Sequence, residues 1–296
     1  MTMRTSAGAT GPGPSVISAR RAAFRELHRA GCFVIPNPWD IGTARWLRSL
    51  GFKALATTSA GFAFSRGLPD SGALTRDLVL GHVREIVEAT DLPVNADFQA
   101  GYSDTAEGVA ESVRRCIETG VAGLSIEDDT GDSAHPLYEL AEARDRLRAA
   151  RAAIDASGSG VLLTGRAECF LVGHPQPLKE SIRRLAAYAE AGADVLYAPG
   201  PTSRDDIKAI VEAVSPKPVN VLVSSSSGLR VDDLAGLGVR RISVGSALAR
   251  AAWTGFARAA ALIAKQGSFE GFDALVPYSE VDGFFQGLRQ DQAPPG

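Results

Sequence analysis

"AEGVAESVRRCIETGVAGLSIED", residues 106–128, contains the structural unit that decides the fold. A helical pattern ends near Gly120, and a short apolar run follows and finishes in Glu127 and Asp128. Glycine just after a helix is the usual left-handed cap. A run that is apolar on both faces is typical of a strand in a parallel sheet. The stretch therefore predicts a helix, a buried strand and acidic side chains at the end of that strand.

The same unit recurs along the chain. Eight apolar runs alternate with helical patterns: "CFVIPN", "FKALATTS", "LPVNADFQ", "VAGLSIED", "GVLLTGRAE", "ADVLYAPG", "KPVNVLVSS" and "VRRISVGS". Eight such strands predict an α/β fold, a (β/α)8 TIM-type barrel with extra terminal helices. An open doubly wound sheet is the alternative. No GxGxxG follows any run, which argues against a dinucleotide-binding fold.

Composition and charge exclude several classes of partner. The chain has 296 residues, 45% of them hydrophobic, with a net charge of −3. It carries no strong basic run, so we expect no nucleic-acid partner. No apolar stretch reaches membrane-spanning length, so we expect no membrane association. The three cysteines form no CxxC pair, which argues against a disulfide framework or a structural zinc site. A cytoplasmic protein is the expectation.

The domain organisation is predicted from composition. Residues 1–16 are small, polar and rich in glycine and proline, which predicts a disordered N-terminal segment. Residues 17–288 are predicted to form a single (β/α)8 barrel domain with C-terminal helices, and residues 289–296 a frayed tail. The apolar helical segment "AAWTGFARAAALIA" after Arg250 suggests a buried partner surface, and hence a homodimer or homotetramer.

Polar side chains cluster where the apolar runs end, which in a barrel is the catalytic face. A hard cation, Mg²⁺ or alternatively Mn²⁺, bound by one or two carboxylates beside an arginine would suit a substrate that becomes an enolate. A purely structural interpretation is also open: Asp128 or Asp129 could do no more than cap a helix, and Arg166 no more than form an ion pair with Glu168. The strand-end residues are Asn37, Trp39, Asp40, 57–59, Asp97, Gln99, 127–129, Arg166, Glu168, Tyr197, Asn220, Ser243 and Ser246.

Two serine-containing runs follow the last two strands. "VSSSSG" and "SVGSALAR" could form a phosphate cup, a frequent feature of such barrels. They could equally be a flexible polar loop, and the residues alone leave both interpretations open.

Five motifs in register resemble one known family. They are "ALATTSAGFAFSRGLPD" (54–70), "PVNADFQAGY" (93–102), "GLSIEDD" (123–129), "TGRAECFL" (164–171) and "PVNVL" (218–222). Together they resemble the isocitrate lyase/phosphoenolpyruvate mutase superfamily, in its phosphoenolpyruvate mutase-like branch. The resemblance implies a (β/α)8 barrel that binds Mg²⁺ and an α-keto acid or its enolate. It also implies dimers or tetramers that exchange a terminal helix.

The resemblance implies roles for particular positions. The substrate carboxylate would lie against Thr58, Ser59 and Ala60, and Arg166 would bind the substrate. Asp97 matches the metal-binding aspartate, and Glu127 matches a glutamate that reaches the metal through water. Asp70 would lie near the metal in the second shell, and Gln99 is a possible further ligand.

Three departures from the family pattern narrow the range of reactions that we expect. Gln99 stands where the family usually has a second carboxylate, which would weaken metal binding. The loop "TGDSAHPLYEL" lacks the cysteine of the isocitrate and methylisocitrate lyases, so those activities are not expected. Ala198 occupies the place of a histidine in the phosphonomutases, which counts against the mutase reaction.

The function that these residues and the resemblance indicate is a Mg²⁺-dependent carbon–carbon lyase. It would cleave a small 2-hydroxy or 2-oxo di- or tricarboxylate through an enolate and release pyruvate, glyoxylate or a similar oxo-acid. Glu168 and Tyr197 are candidates for proton transfer beside Arg166, and Asn220 for substrate binding. The alternatives are an oxaloacetate-type hydrolase or decarboxylase, a P–C bond phosphonomutase, or a non-catalytic barrel that binds carboxylates.

Overall fold

The computed structural model describes residues 11–70 and 72–290 of the chain. Its strands are β1 (Phe33–Ile35), β2 (Leu55–Ala56), β3 (Val94–Asp97), β4 (Gly123–Glu127), β5 (Leu162–Arg166), β6 (Val195–Tyr197), β7 (Val219–Leu222) and β8 (Arg241–Ser243). Its helices are α1 (Pro14–Leu27), α2 (Ile41–Ser49), α3 (Ser59–Ser65), α4 (Arg76–Ala89), α5 (Ala106–Ile117), α6 (Leu140–Ser157), α7 (Pro177–Glu190), α8 (Arg204–Val214), α9 (Val231–Gly236), α10 (Ala247–Gln266) and α11 (Tyr278–Gln290).

The strands form one parallel sheet that nearly closes on itself. Neighbouring strands pair in chain order from β2 to β8, and β8 pairs with β1. Between β1 and β2, the Ala56 N–H donates to the Pro36 carbonyl at 3.0 Å, which links the two ends of the sheet. The prediction of a (β/α)8 TIM-type barrel is confirmed.

Local sequence explains the repeated unit. At the start of α5, the Thr105 hydroxyl accepts the Gly108 N–H, which satisfies one of the unpaired donors of the first helical turn. Gly120, between α5 and β4, has φ of 91°, a conformation that residues with a side chain rarely adopt. Leu124 and Ile126 of β4 are buried in the main apolar core. Because alternate residues of a strand face opposite ways, Glu127 is left at the strand's end on the other face.

The boundaries differ from the composition-based prediction. The helix α1 begins at Pro14, inside the segment 1–16 for which disorder was expected, because proline is favoured in a first helical turn. Residues 1–10 lie outside the described residues. The helix α11 continues to Gln290, two residues into the expected frayed tail 289–296, whose last six residues also lie outside.

The chain divides into two compact units, and the single barrel domain over 17–288 stays a prediction. The first unit ends at Ala249 and holds the barrel, and the second begins at Arg250. The second unit contains most of α10, a short 3-10 helix at Glu270–Phe272, and α11. None of the helices in the described part of the chain is long and apolar enough to cross a membrane.

The barrel interior is polar, although branched apolar side chains usually fill this space. The buried Arg241 guanidinium donates to Asn220 Oδ1 at 2.8 Å and to Thr164 Oγ1 at 3.1 Å. Its Nη1 lies 3.4 Å from His28 Nε2, and His28 Nδ1 lies 2.8 Å from the Phe24 carbonyl. Burial lowers the pKa of Arg241 to about 10, so the guanidinium stays charged at neutral pH.

These contacts predict a pH dependence of stability that involves His28. Burial and the Arg241 charge lower the pKa of folded His28 to about 3, while an unfolded histidine titrates near about 6.5. As pH falls below the unfolded value, the unfolded chain binds a proton that the folded chain does not. Stability from this group is therefore complete above about pH 6.5 and declines toward pH 3, by up to about 1.4 kcal/mol per pH unit.

We expect His28→Gln to make the fall in unfolding free energy between pH 7 and pH 5 shallower. Urea unfolding at pH 7, 6 and 5 measures it. His135→Gln is the control, since the His135 side chain is 86% exposed and its variant should follow the wild-type pH dependence. Parallel curves for His28→Gln and the wild type would contradict this account.

Candidate active site

Five side chains from β3, β4, β5 and β6 meet at the carboxyl end of the barrel. The register pairs Glu127 with Arg166, and Arg166 with Tyr197, on neighbouring strands. The Arg166 Nη1 lies 3.0 Å from Glu127 Oε2 and 3.3 Å from Asp97 Oδ1, and its Nε donates to Glu168 Oε1. The Arg166 Cζ lies 5.2 Å from the centre of the Tyr197 ring. One guanidinium therefore joins three carboxylates and an aromatic face.

Negative charge exceeds positive charge at the carboxyl end of the barrel, which we call the rim. Burial raises the pKa of Glu127 well above its usual value and the pKa of Glu168 to about 7, although the Arg166 charge lowers both. Burial, and then the charge of Asp97, also raises the pKa of Asp70. Burial acts to lower the pKa of Arg166, but Glu127 and Glu168 raise it well above the usual range. A further cation would relieve the excess of carboxylates.

The start of α3 is tied to β3 through Asp97. The Ser59 N–H donates to Asp97 Oδ2 at 2.9 Å, and the Asp97 N–H donates to Thr57 Oγ1, also at 2.9 Å. The Thr58 hydroxyl accepts the Gly61 N–H at 3.2 Å and so caps α3. Two of the residues expected to hold the substrate carboxylate therefore have structural contacts. The Ser59 backbone binds Asp97, the predicted metal ligand, and the Thr58 hydroxyl caps α3.

Gln99 reaches the segment that carries Asp70. Its backbone has φ of 42°, and its Nε2 donates to the Asp70 carbonyl at 3.2 Å. The Asp70 carboxylate is in turn hydrogen-bonded to Ser59. The Gln99 Nε2 thus donates to the chain, and only its Oε1 could serve as a metal ligand.

A cavity of about 610 Å³ opens over this rim. It is large enough for a small di- or tricarboxylate. Its walls include most of the predicted site, together with the loop after β4. The lining residues are Ser59, Asp70, Gly72, Leu74, Gln99, Ala100, Tyr102, Ser103, Asp104, Glu127, Asp129, Thr130, Gly131, Tyr138, Arg166, Glu168, Leu171 and Val172.

The donor set fits a magnesium ion with a small number of protein ligands. Across residues 11–70 and 72–290, no group of three or more His, Cys, Asp or Glu side chains is assembled as a metal-binding cluster. Mg²⁺ keeps several waters and is commonly bound through one or two carboxylates. Asp97 and Glu127 supply two, and the raised pKa of Asp70 and of Glu127 reflects a site in which negative charge is costly.

Tyr197 and Asn220 are buried residues of β6 and β7 that pair in register. Tyr197 is buried and hydrogen-bonded to Ser243, and burial raises its pKa to about 12. Both amide atoms of Asn220 are used inside the barrel, because Oδ1 accepts from Arg241 and Nδ2 donates to the Ser243 hydroxyl at 2.9 Å. The Asn220 amide therefore supports the barrel interior.

A buried network behind Glu168 is the part of the site that sequence reasoning missed. Asp128 Oδ1 accepts the Glu168 N–H at 2.8 Å, and Oδ2 accepts from Arg184 at 3.0 Å and from the Tyr188 hydroxyl. Arg184 also donates to the Tyr138 carbonyl at 2.9 Å, at the end of the loop after β4. Asp128 is thus a buried anchor and not a helix cap. Arg184 and Tyr188 are about one helical turn apart in α7 and therefore lie on the same face of the helix as the buried Leu185. That shared face was the signal available in the sequence.

An eight-stranded barrel with carboxylates and an arginine at the carboxyl ends of its strands has the arrangement of a barrel enzyme. The chain belongs to the phosphoenolpyruvate phosphomutase family, whose model matches residues 24–264. The superfamily resemblance found in the motifs is thereby confirmed.

Several relatives carry different activities. A candidate lyase or mutase from Burkholderia cenocepacia J2315 has a crystal structure that is 47% identical, with a TM-score of 0.88 over 92% of this chain and 98% of its own. The 2,3-dimethylmalate lyase of Eubacterium barkeri is 30% identical over 199 residues, 65% of this chain and 68% of that protein. An oxaloacetate acetylhydrolase bound to its product oxalate is 26% identical, with a TM-score of 0.80 over 93% of this chain and 97% of its own. Membership alone therefore does not select one reaction.

The buried network predicts unequal roles for two adjacent arginines. Arg183 and Arg184 both pair with Glu180, but their side chains are 57% and 7% exposed. Arg184→Met would leave the Asp128 charge buried without its cation, so we expect a loss of about 3–5 kcal/mol in unfolding free energy. Arg183→Met removes a surface pair and should cost about 0–1 kcal/mol. Urea unfolding of the two variants measures this difference, and equal losses would show that Asp128 does not depend on Arg184.

Proposed function

We propose that the protein is a Mg²⁺-dependent carbon–carbon lyase. Its substrate would be a small 2-hydroxy or 2-oxo di- or tricarboxylate, cleaved through an enolate to release pyruvate, glyoxylate or a similar oxo-acid. The observation that supports this most directly is the Arg166 guanidinium, which is held among Asp97, Glu127 and Glu168 and lines the cavity of about 610 Å³. The named lyase among the relatives is consistent with it.

Arg166 and the start of α3 would bind the substrate. To grip a substrate carboxylate through two parallel hydrogen bonds, the planar guanidinium would exchange one of its contacts with Asp97, Glu127 or Glu168 for the substrate. The Ala60 N–H and the Thr58 O–H, at the start of α3, would orient a second carboxylate, while the Ser59 N–H stays bonded to Asp97. Bound Mg²⁺, or Mn²⁺, would neutralise the negative charge that develops on the oxo-acid oxygen.

The residues that would hold the ion lie on β3 and β4 and in the segments beside them. They are Asp97 and Glu127, with Asp70 beside them and Gln99 as a possible further ligand.

Glu168 has the ionisation that a proton carrier needs. A pKa of about 7 lets the group hold or release a proton near neutrality. As a carboxylate, Glu168 would take the proton of the substrate's 2-hydroxyl; the oxygen electron pair forms a carbonyl, and the adjacent C–C bond breaks. Its electrons pass to the enolate of the departing fragment, which then takes at carbon the proton that Glu168 holds. Tyr197, whose pKa is about 12, stays protonated and would serve as a hydrogen-bond donor.

A second candidate is hydrolysis of oxaloacetate to oxalate and acetate. The oxaloacetate acetylhydrolase among the relatives favours it, because the two chains align over nearly their full lengths. The same arginine and carboxylates would bind the dicarboxylate. The products separate the two reactions, because cleavage of a malate-type substrate releases an oxo-acid whereas this hydrolysis releases oxalate.

We expect oxalate, a mimic of the pyruvate enolate, to bind in a manner that requires Mg²⁺. Calorimetric titration with and without the ion measures this. Asp97→Asn should weaken the Mg²⁺-dependent affinity about tenfold or more, and Gln99→Asp should lower the Mg²⁺ concentration needed, because it adds a carboxylate. Asp104→Asn is the matched control, since Asp104 lines the same cavity but is exposed.

The same proteins should then be supplied with substituted malates and citrates, with products followed by proton NMR. Release of an oxo-acid that Arg166→Lys abolishes supports the lyase, because lysine keeps the charge but loses the two-point grip. Oxalate binding that is indifferent to Mg²⁺ would contradict the metal role. Binding without turnover of any substrate would favour a non-catalytic carboxylate-binding barrel.

We further propose that the protein forms a homodimer or homotetramer through α10. Trp253 and Phe256 are 46% and 62% exposed, and their rings pack edge to face at 5.4 Å. Exposed aromatic clusters of this kind are typical of protein interfaces.

Light scattering at micromolar concentration should give the mass of an oligomer. Replacing Trp253 by Ser together with Phe256 by Asp should shift it toward the monomer, because a charge would enter the apolar contact. Leu50→Asp is the control. Leu50 belongs to the first unit and is 63% exposed, about as much as Phe256, and its variant should leave the mass unchanged. A monomeric wild-type protein would contradict the proposal.

A further inference from the structure

A second cavity, of about 180 Å³, lies at the carboxyl ends of β5, β6 and β7. We call it the side pocket. Leu171 lines both the side pocket and the active-site cavity, so the two spaces are neighbours that share one wall. The Leu171 N–H donates to the Glu168 carbonyl at 2.8 Å, and its side chain is 54% exposed. A substituent that extends from a bound substrate past Leu171 would enter the side pocket.

Most of the side chains that line the side pocket are apolar. Ile207, Val221 and Leu234 are buried core residues, and Leu229 adds a partly buried side chain. None of the described residues that line the side pocket is charged. A phosphate or carboxylate there would lose its hydration without gaining an ion pair, which is costly. The phosphate-cup interpretation of "VSSSSG" stays a prediction, which would rest on backbone N–H groups and serine hydroxyls.

The serines of that run occupy the mouth of the side pocket. Ser225 and Ser227 are among its lining residues, while Ser226 lies between them and is exposed without lining it. The Ser227 hydroxyl accepts the Leu229 N–H at 3.3 Å, so the loop satisfies part of its own polar capacity. The side pocket therefore combines a polar mouth with an apolar floor.

Its size indicates the group it would accept. An apolar cavity of about 150 Å³ lined by Leu, Ile and Phe stays dry and binds benzene. A space of about 180 Å³ with comparable walls can take a group of that size. Burial of such a group is favourable in proportion to its apolar area.

We propose that the substrate carries an apolar substituent about the size of a phenyl or branched butyl group, and that the side pocket binds this substituent. This inference rests on the proposed function, because it assigns the substrate class of the same active site. The carboxylate end of the substrate lies at Arg166, and the apolar end passes Leu171 into the side pocket.

The test compares the binding of malonate and benzylmalonate in the presence of Mg²⁺. We expect benzylmalonate to bind the wild type about tenfold more tightly or better. Ser225→Trp fills the mouth of the side pocket and should abolish this preference without changing the affinity for malonate. Ser226→Trp places the same bulk one residue away, outside the lining, and should preserve the preference.

Two results would overturn the inference: equal affinities of the two malonates in the wild type, or equal behaviour of the two tryptophan variants. Benzyl alcohol, followed by protein NMR, separates this failure from failure of the proposed function. If neither malonate nor oxalate binds but benzyl alcohol binds the wild type and not Ser225→Trp, the carboxylate site is wrong and the side pocket is an apolar ligand site. If benzyl alcohol does not bind the wild type, the side pocket assignment falls.

Discussion

The ion-paired guanidinium of Arg166 is the interaction on which the rim of the barrel depends. It lies within 3.3 Å of carboxylate oxygens from two neighbouring strands and also contacts Glu168. Without it, three buried carboxylates would face each other with no compensating charge, a situation that costs several kcal/mol per ion. Because even Arg166 leaves the pKa of Glu127 and of Glu168 raised, the folded rim favours a further cation or a proton. The same excess of carboxylates that lowers the stability of the fold provides groups that can bind a cation or carry a proton.

A second constraint acts from inside the barrel. Arg241 donates to Asn220, Asn220 donates to the Ser243 hydroxyl, and Ser243 is hydrogen-bonded to Tyr197. This chain of polar contacts links the buried interior to the ring that faces Arg166. Buried polar groups are tolerated when each has a partner, and such networks fix side-chain positions more narrowly than apolar packing does. The polar interior therefore supports the orientation of the rim as well as the fold.

The Asp128 network completes the support of Glu168. It holds the backbone of Glu168 rather than its carboxylate, and it connects β4, α7 and the end of the following loop through Arg184. Carboxylates at the ends of strands thus divide into two kinds. Glu127 faces the cavity, while Asp128, its neighbour in sequence, points into the packing of the helices, because successive strand residues face opposite sides.

The sequence by itself determined the barrel, because eight apolar runs separated by capped helices have few other ways to bury both faces of each strand. Alternation along the strands also placed Asp97, Glu127 and Arg166 on one face. The tertiary structure decided which polar residues serve the site. Asn220 lies within β7 and Asp128 directly after β4, just as the site residues lie in their strands or directly after them. Their partners, Arg241 and Arg184, come from other parts of the chain. Spacing along a chain cannot reveal those partners, since contacts between residues 20 or more positions apart exist only once the barrel has closed.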